Sequence, residues 1–148
     1  MVHPWHRAHH AEVDTPAEAG GYCMAEIGGK PVAGLGNAQQ PGPPYWTTYI
    51  TVESADAAVD KVKSAGGQVL VEAFDIFDSG RMAVFMDPTG AVFSVWQPVK
   101  HTGAALVNEP GTLIWNELTT REPDKARAFY TEVFGWAALL ENHPKRIA

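Results

Sequence analysis

The sequence predicts an α+β fold built on one strand–helix–three-strand unit, and three patterns support this prediction. Residues 45–52 alternate aromatic and β-branched side chains, as in a strand of a pleated sheet. Apolar residues then recur at helical spacing over 55–65, with Ser54 as a candidate N-cap and Gly66-Gly67 as the stop. Three further apolar runs, separated by turn-forming residues, predict strands at 68–74, 81–86 and 91–96.

Further elements are predicted on both sides of this unit. Residues 22–35 read as a hairpin that turns at Gly28-Gly29. Residues 113–120 predict another strand, followed by a helix with Pro123 near its start and Gly135 at its end. Because this last strand and helix repeat the pattern of the first pair, the sequence indicates an internal repeat.

One domain is predicted over residues 21–136. Residues 1–20 contain clustered histidines without hydrophobic periodicity, which favours a disordered leader; a metal site is the alternative. Within the domain we predict a hairpin half-module at 21–44, a complete βαβββ module at 45–98 and a βα half-module at 112–136, before a tail at 137–148.

The bulk composition excludes several classes of function. The 148 residues include 17 acidic and 11 basic side chains, and the net charge of −6 argues against nucleic-acid binding. The sequence contains no long apolar run and no signal-type leader, so we expect a cytoplasmic protein without a membrane partner. Cys23 is the only cysteine, so no disulfide can form within the chain.

The end of the complete module carries a family resemblance. A βαβββ unit that ends in Asp-Pro-Thr-Gly-Ala-Val-Phe-Ser-Val-Trp-Gln-Pro, residues 87–98, resembles the vicinal oxygen chelate superfamily. That superfamily includes glyoxalase I, bleomycin-resistance proteins and extradiol dioxygenases. Residues 115–136 resemble the opening of a second such unit. The resemblance implies paired βαβββ modules that form a curved mixed sheet with helices outside.

The order of the modules differs from the family pattern of two successive βαβββ units. This chain reads βββ-βαβββ-βα, which suggests a piece or a circular permutant of a two-domain member. An unpartnered βα half-module would leave several large apolar side chains exposed, at about 1.5–3 kcal/mol each. We therefore expect a homodimer, side by side or formed by exchange of the C-terminal βα segment, in preference to a closed monomer.

The resemblance also identifies where a metal would bind. Active family members hold a divalent metal through His, Gln or Glu on the first and last strands of each unit. The matching positions here are Thr47, Ser94 and Trp115, and none of these residues is a competent ligand. We therefore expect no cofactor, with a divalent metal as the alternative.

A small-molecule ligand is expected in the cup of the sheet. Strand alternation sorts the residues that would line it, and Glu117 is the candidate general acid or base. Alternatively, Glu117 is an exposed strand carboxylate without a catalytic role. The tryptophans, in turn, would pack in the core and not contact a ligand. The candidate ligand-binding residues are Thr47, Tyr49, Ser94, Trp96, Trp115 and Glu117.

Three functions follow from this pattern. The first is a metal-free protein that binds a hydrophobic or aromatic molecule, for resistance by sequestration or in secondary metabolism. The second is a lyase, isomerase or dioxygenase that uses Glu117 or a divalent metal. The third is a fragment without activity of its own.

Overall fold

The computed structural model describes residues 21–38 and 41–138. They divide into two compact units. The hairpin unit contains the described residues up to Trp46 together with 101–116, and the sheet unit contains 47–100 and the described residues from Glu117 onward. The predicted leader and most of the predicted tail lie outside the described residues.

The hairpin unit contains the predicted hairpin. Strands β1 (Cys23–Ile27) and β2 (Lys30–Leu35) pair antiparallel. Between them, Gly28 and Gly29 have φ values of 59° and 72°. Positive φ at both central residues is the type I′ geometry, whose twist matches that of the flanking strands. The glycine pair therefore determines this turn, as the sequence predicts.

The sheet unit is a four-stranded mixed sheet covered by two helices. The strand order is β3-β6-β5-β4; β3 runs parallel to β6, and the other neighbours are antiparallel. This arrangement confirms the predicted α+β class. Within the described residues, neither helix is long and apolar enough to cross a bilayer. The elements are β3 (Tyr49–Thr51), α1 (Ala55–Ser64), β4 (Gln68–Ile76), β5 (Gly80–Met86), β6 (Val92–Pro98) and α2 (Pro123–Phe134).

Helix α1 begins and ends where the sequence predicts. The Ser54 hydroxyl accepts the N–H of Ala57 at 3.1 Å, which is an N-cap bond. The sheet adds a second contact at this end, because the side-chain oxygen of Gln97 accepts the N–H of Ala55 at 2.9 Å. Arg81 also reaches α1 and donates from Nε and Nη2 to the two oxygens of Asp56, at 2.9 and 3.0 Å. The first turn of α1 is therefore tied to β5 and β6.

The predicted strand at 113–120 is wrong for most of its length. In the described residues, Leu113 forms one isolated bridge with Val107, and 114–120 is irregular. Ile114 and Trp115 are 68% and 75% exposed. Strand propensity without a ladder of partner residues does not produce a strand, because pairing and packing provide most of its stability.

The core of the sheet unit lies between the sheet and both helices. Phe93 is at its centre, with ring centroids 5.5 Å from Phe85, 6.1 Å from Phe129 and 6.0 Å from Phe134. Helix α2 therefore packs on the same face of the sheet as α1. The buried apolar residues are Ala55, Ala58, Val59, Val62, Ala83, Phe85, Phe93, Val95, Ala126, Phe129 and Val133.

A buried carboxylate connects α2 to the β5–β6 turn. Asp87 is 2% exposed, and its Oδ1 accepts the N–H groups of Thr89 and Ala91 at 2.7 and 3.0 Å. The Thr89 hydroxyl donates to the same oxygen at 2.8 Å, and the Tyr130 hydroxyl donates to Oδ2 at 3.0 Å. Burial raises the pKa of Asp87, but these hydrogen bonds outweigh burial and hold the pKa below its usual value.

Candidate functional site

The alternation of side chains divides the sheet of the sheet unit into two faces. Ile50, Phe93 and Val95 face the helices and belong to the core. Their neighbours in the strands point the other way, as the alternation predicts for Tyr49 and Trp96. We call this opposite side the far face; it consists of Tyr49, Thr51, Met82, Val84, Met86, Val92, Ser94 and Trp96.

Two aromatic rings dominate the far face. Tyr49 on β3 and Trp96 on β6 meet edge to face, with centroids 6.4 Å apart and planes at 85°. Tyr49 is 51% exposed, and Trp96 is half-buried. On β5, Met82 lies directly beside Trp96. Aromatic and thioether side chains together form an adaptable apolar surface, which suits a flat aromatic partner.

Gly80 allows the indole of Trp96 to pack against the sheet. A Cβ atom at Gly80 would lie 2.4 Å from Trp96 Cζ2 and 2.7 Å from the backbone oxygen of Gln97. Both distances are far inside van der Waals contact, so any larger side chain would displace the indole. The sequence does not reveal this contact, because Gly80 stands among the turn-forming residues that separate two predicted strands.

The hydroxyl of Ser94 is enclosed in the far face. Ser94 is 0% exposed, and its backbone N–H donates to Thr48 O at 2.9 Å. Its neighbours across the sheet are Tyr49 on β3 and Val84 on β5. In the part of the chain that the structure describes, Ser94 Oγ has no hydrogen-bond partner. Buried hydroxyls are nearly always paired, so this one needs an explanation.

The structure brings together Tyr49, Ser94 and Trp96 among the predicted ligand-binding residues. Thr47 is half-buried and lies two residues before β3. Glu117 is exposed in the irregular segment before α2, so strand alternation no longer assigns it to the same face as Tyr49. Trp115 belongs to the hairpin unit.

The far face does not fit a divalent metal. Its possible donors are the hydroxyls of Tyr49, Thr51 and Ser94 and the thioethers of Met82 and Met86. Divalent metals in proteins are held mainly by imidazole, carboxylate or thiolate groups, and the far face carries none of them. Over residues 21–38 and 41–138, no group of three or more His, Cys, Asp or Glu residues is arranged to hold an ion.

A separate shallow cleft of about 400 Å³ opens elsewhere in the sheet unit. The β5–β6 turn forms one side of the cleft, and the segment before α2 forms the other. Its lining does not include the aromatic pair or Ser94, so it is distinct from the far face. The lining residues are Thr89, Gly90, Ala91, Leu118, Thr119, Thr120, Arg121 and Glu122.

The amino-acid sequence is similar to those of several known proteins. "Putative glyoxylase CFP32" of Mycobacterium bovis and of Mycobacterium tuberculosis is 52% identical over 128 residues, which are 82% of this chain and 49% of that protein. "Anthracycline biosynthesis protein DauV" of Streptomyces sp. (strain C5) is 38% identical over 142 residues, which are 86% of this chain and 52% of that protein. The chain therefore spans about half the length of these relatives.

A family model also matches this chain. The model of the Glyoxalase/Bleomycin resistance protein/Dioxygenase superfamily matches residues 3–95, which is more than half of the chain. The match includes β3, α1, β4 and β5 and most of β6, the elements that carry the far face. With a mixed βαβββ sheet and a matching family model, this chain belongs to the glyoxalase/bleomycin resistance protein/dioxygenase superfamily.

Proposed function

We propose that the chain binds a small, flat aromatic molecule on the far face of its sheet, without a metal ion. The observation that carries this proposal is the edge-to-face pair of Tyr49 and Trp96, with centroids 6.4 Å apart. A planar ligand stacking on either ring gains dispersion and quadrupole contacts as well as apolar burial. Binding sites for such ligands are mostly apolar with a few polar groups, and this composition matches the far face.

One relative suggests the chemical class of ligand. DauV is named as a protein of anthracycline biosynthesis and is 38% identical to this chain. Anthracyclines contain fused aromatic rings that bear oxygen substituents, so they are flat enough to stack on Trp96. We therefore propose a polycyclic aromatic metabolite as the ligand, either sequestered for resistance or held during secondary metabolism.

A second candidate is an enzyme of the same superfamily, and one observation favours it. The protein named "Putative glyoxylase CFP32" is 52% identical to this chain. Glu117, an exposed carboxylate, would act as the general acid or base. Chromatography of the incubated ligand distinguishes the candidates: an altered ligand, with turnover lost in Glu117→Gln, supports the enzyme, and an unaltered ligand supports the binding protein.

Replacing Trp96 with alanine is expected to weaken ligand binding about tenfold, because one stacking wall is removed. Isothermal titration calorimetry with an anthracycline measures this change. Trp136→Ala is the matched control, since Trp136 stacks on Tyr130 on the helix side of the sheet, with centroids 5.7 Å apart. Equal affinity in wild type and Trp96→Ala would contradict the proposed site.

The same titration also tests whether ligand binding depends on a metal ion. Protein dialysed against a chelator is expected to bind the anthracycline as tightly as untreated protein, because no far-face side chain needs an ion. A loss of affinity that added Zn²⁺ or Mg²⁺ restores would replace this proposal with a metal-dependent site.

We also propose that the chain forms a homodimer. Three aromatic side chains of the hairpin unit, Tyr45, Trp46 and Trp115, are 75%, 87% and 75% exposed, and exposed aromatic surface commonly marks an interface. One way to form this dimer is exchange of the C-terminal segment, in which α2 of each copy packs on the core of the other.

Sedimentation equilibrium is expected to give twice the 16.0 kDa mass of one chain. Trp46→Glu is expected to shift the population toward monomer, because a charge at an apolar contact is costly to desolvate. Glu26→Gln, a polar change in the same unit, serves as the control. A folded monomer at every protein concentration would contradict the dimer.

A further inference from the structure

The enclosed hydroxyl of Ser94 is the least expected feature of the far face. It lies between Tyr49 and Val84 across the sheet, is 0% exposed, and has no hydrogen-bond partner within the described residues. Alanine would have nearly the same shape and no hydroxyl to desolvate. Since no described residue compensates for this hydroxyl, a serine at this position is expected to lower the stability of the free protein.

We propose that the Ser94 hydroxyl is the polar anchor of the site, and that the ligand is an aromatic ring bearing an oxygen substituent. This inference rests on the proposed function, since it assigns chemistry to the same far face. The Ser94 hydroxyl donates to the ring oxygen while the flat ring packs against Trp96. A phenol or a quinone satisfies both contacts, whereas an unsubstituted hydrocarbon satisfies only the second.

The position of Tyr49 explains how a ligand reaches an enclosed hydroxyl. Strand β3 is the outermost strand on this side of the sheet and pairs with β6 over only three residues. Tyr49 begins that short strand and is 51% exposed. Tyr49 does not belong to the core, so the proposal places the entry of the ligand here, with the Tyr49 ring moving aside as Ser94 is reached.

The inference is tested by comparing two ligands and two proteins. The ligands are 2-naphthol and naphthalene, which share a ring system and differ in one hydroxyl. The proteins are the full wild-type chain and Ser94→Ala. We expect Ser94→Ala to weaken 2-naphthol binding about fivefold and to leave naphthalene binding unchanged, because only 2-naphthol uses the hydroxyl. Tryptophan fluorescence titration measures all four affinities.

The Tm of the free proteins distinguishes a ligand anchor from a residue that only stabilises the fold, because the two roles of Ser94 predict opposite shifts. Ser94→Ala is expected to raise Tm by a few degrees, because it removes an unpaired buried hydroxyl. A lower Tm would mean that the hydroxyl already has a partner in the free protein, and would overturn the inference.

The remaining outcomes separate the two proposals. If both compounds bind the wild-type chain and Ser94→Ala changes neither or both equally, the anchor is wrong and the aromatic site stands. If neither compound binds the wild-type chain, the proposed function fails, and the assignment of Ser94 fails with it.

Discussion

Replacing Phe93 with alanine is expected to lower the free energy of unfolding by about 3–5 kcal/mol. Phe93 is 4% exposed and contacts aromatic rings from β5 and from α2. Its removal leaves a cavity between the sheet and both helices, and the rigid sheet cannot close that cavity. Urea denaturation followed by circular dichroism measures the change.

The same substitution at an exposed site provides the control. Phe77 lies in the β4–β5 turn and is 73% exposed, so Phe77→Ala is expected to change stability by less than about 0.5 kcal/mol. If Phe93→Ala cost no more than Phe77→Ala, α2 would not be packed on the sheet as described.

Replacing Asp87 with alanine is expected to cost about 2–4 kcal/mol. The substitution removes the acceptor for two backbone N–H groups and for the hydroxyls of Thr89 and Tyr130. Those donors remain in a part-buried site, where water replaces the lost acceptor only in part. Asp60→Ala, at an exposed position in α1, is the control and is expected to be nearly neutral.

The pH dependence of stability provides a second test of Asp87. Its pKa is lowered by folding, so the unfolded chain takes up the proton first as pH falls. The stabilisation is complete above the ordinary aspartate pKa of about 3.9 and is lost as pH falls through the lower folded value. Asp87→Asn is expected to lose this acid-sensitive component, and an unchanged acid profile would contradict the assignment.

Tyr130, which donates a hydrogen bond to Asp87, makes stability depend on pH in the alkaline range as well. Burial and the neighbouring Asp87 charge raise the pKa of Tyr130, so the unfolded chain loses this proton first as pH rises. The stability that depends on Tyr130 is therefore present below about pH 10 and decreases above it. Tyr130→Phe is expected to remove this alkaline component, which absorbance of tyrosinate during unfolding can follow.

Local patterns predicted most of the sheet unit, and the reason is physical. Ser54, the apolar spacing of α1 and the Asp-Pro-Thr-Gly turn act within a few residues, so the sequence shows them directly. Period-two alternation likewise predicted that Tyr49 and Trp96 share a face. The strand at 113–120 failed because a strand depends on a partner ladder, which the sequence of the segment does not contain.

The contacts that make the far face a candidate site join residues that are far apart in the sequence, so local patterns do not predict them. Gly80 accommodates Trp96 because β5 and β6 are in register, and a glycine that ends a turn gives no sign of this. Asp87 is recognisable as a turn residue, but its bond to Tyr130 spans 43 positions. That Ser94 Oγ has no hydrogen-bond partner among the described residues follows from the packing around it and not from its neighbours in sequence.

The amino-acid sequence by itself determined the α+β class, the hairpin, the limits of both helices and the family. Tertiary structure alone decided that α2 covers the same sheet face as α1, that Gly80 admits the indole of Trp96, and that the enclosed Ser94 hydroxyl has no partner among the described residues. Turns, caps and periodicity depend on neighbours in the chain. Burial and hydrogen-bond satisfaction depend on neighbours in space, which only the packed chain defines.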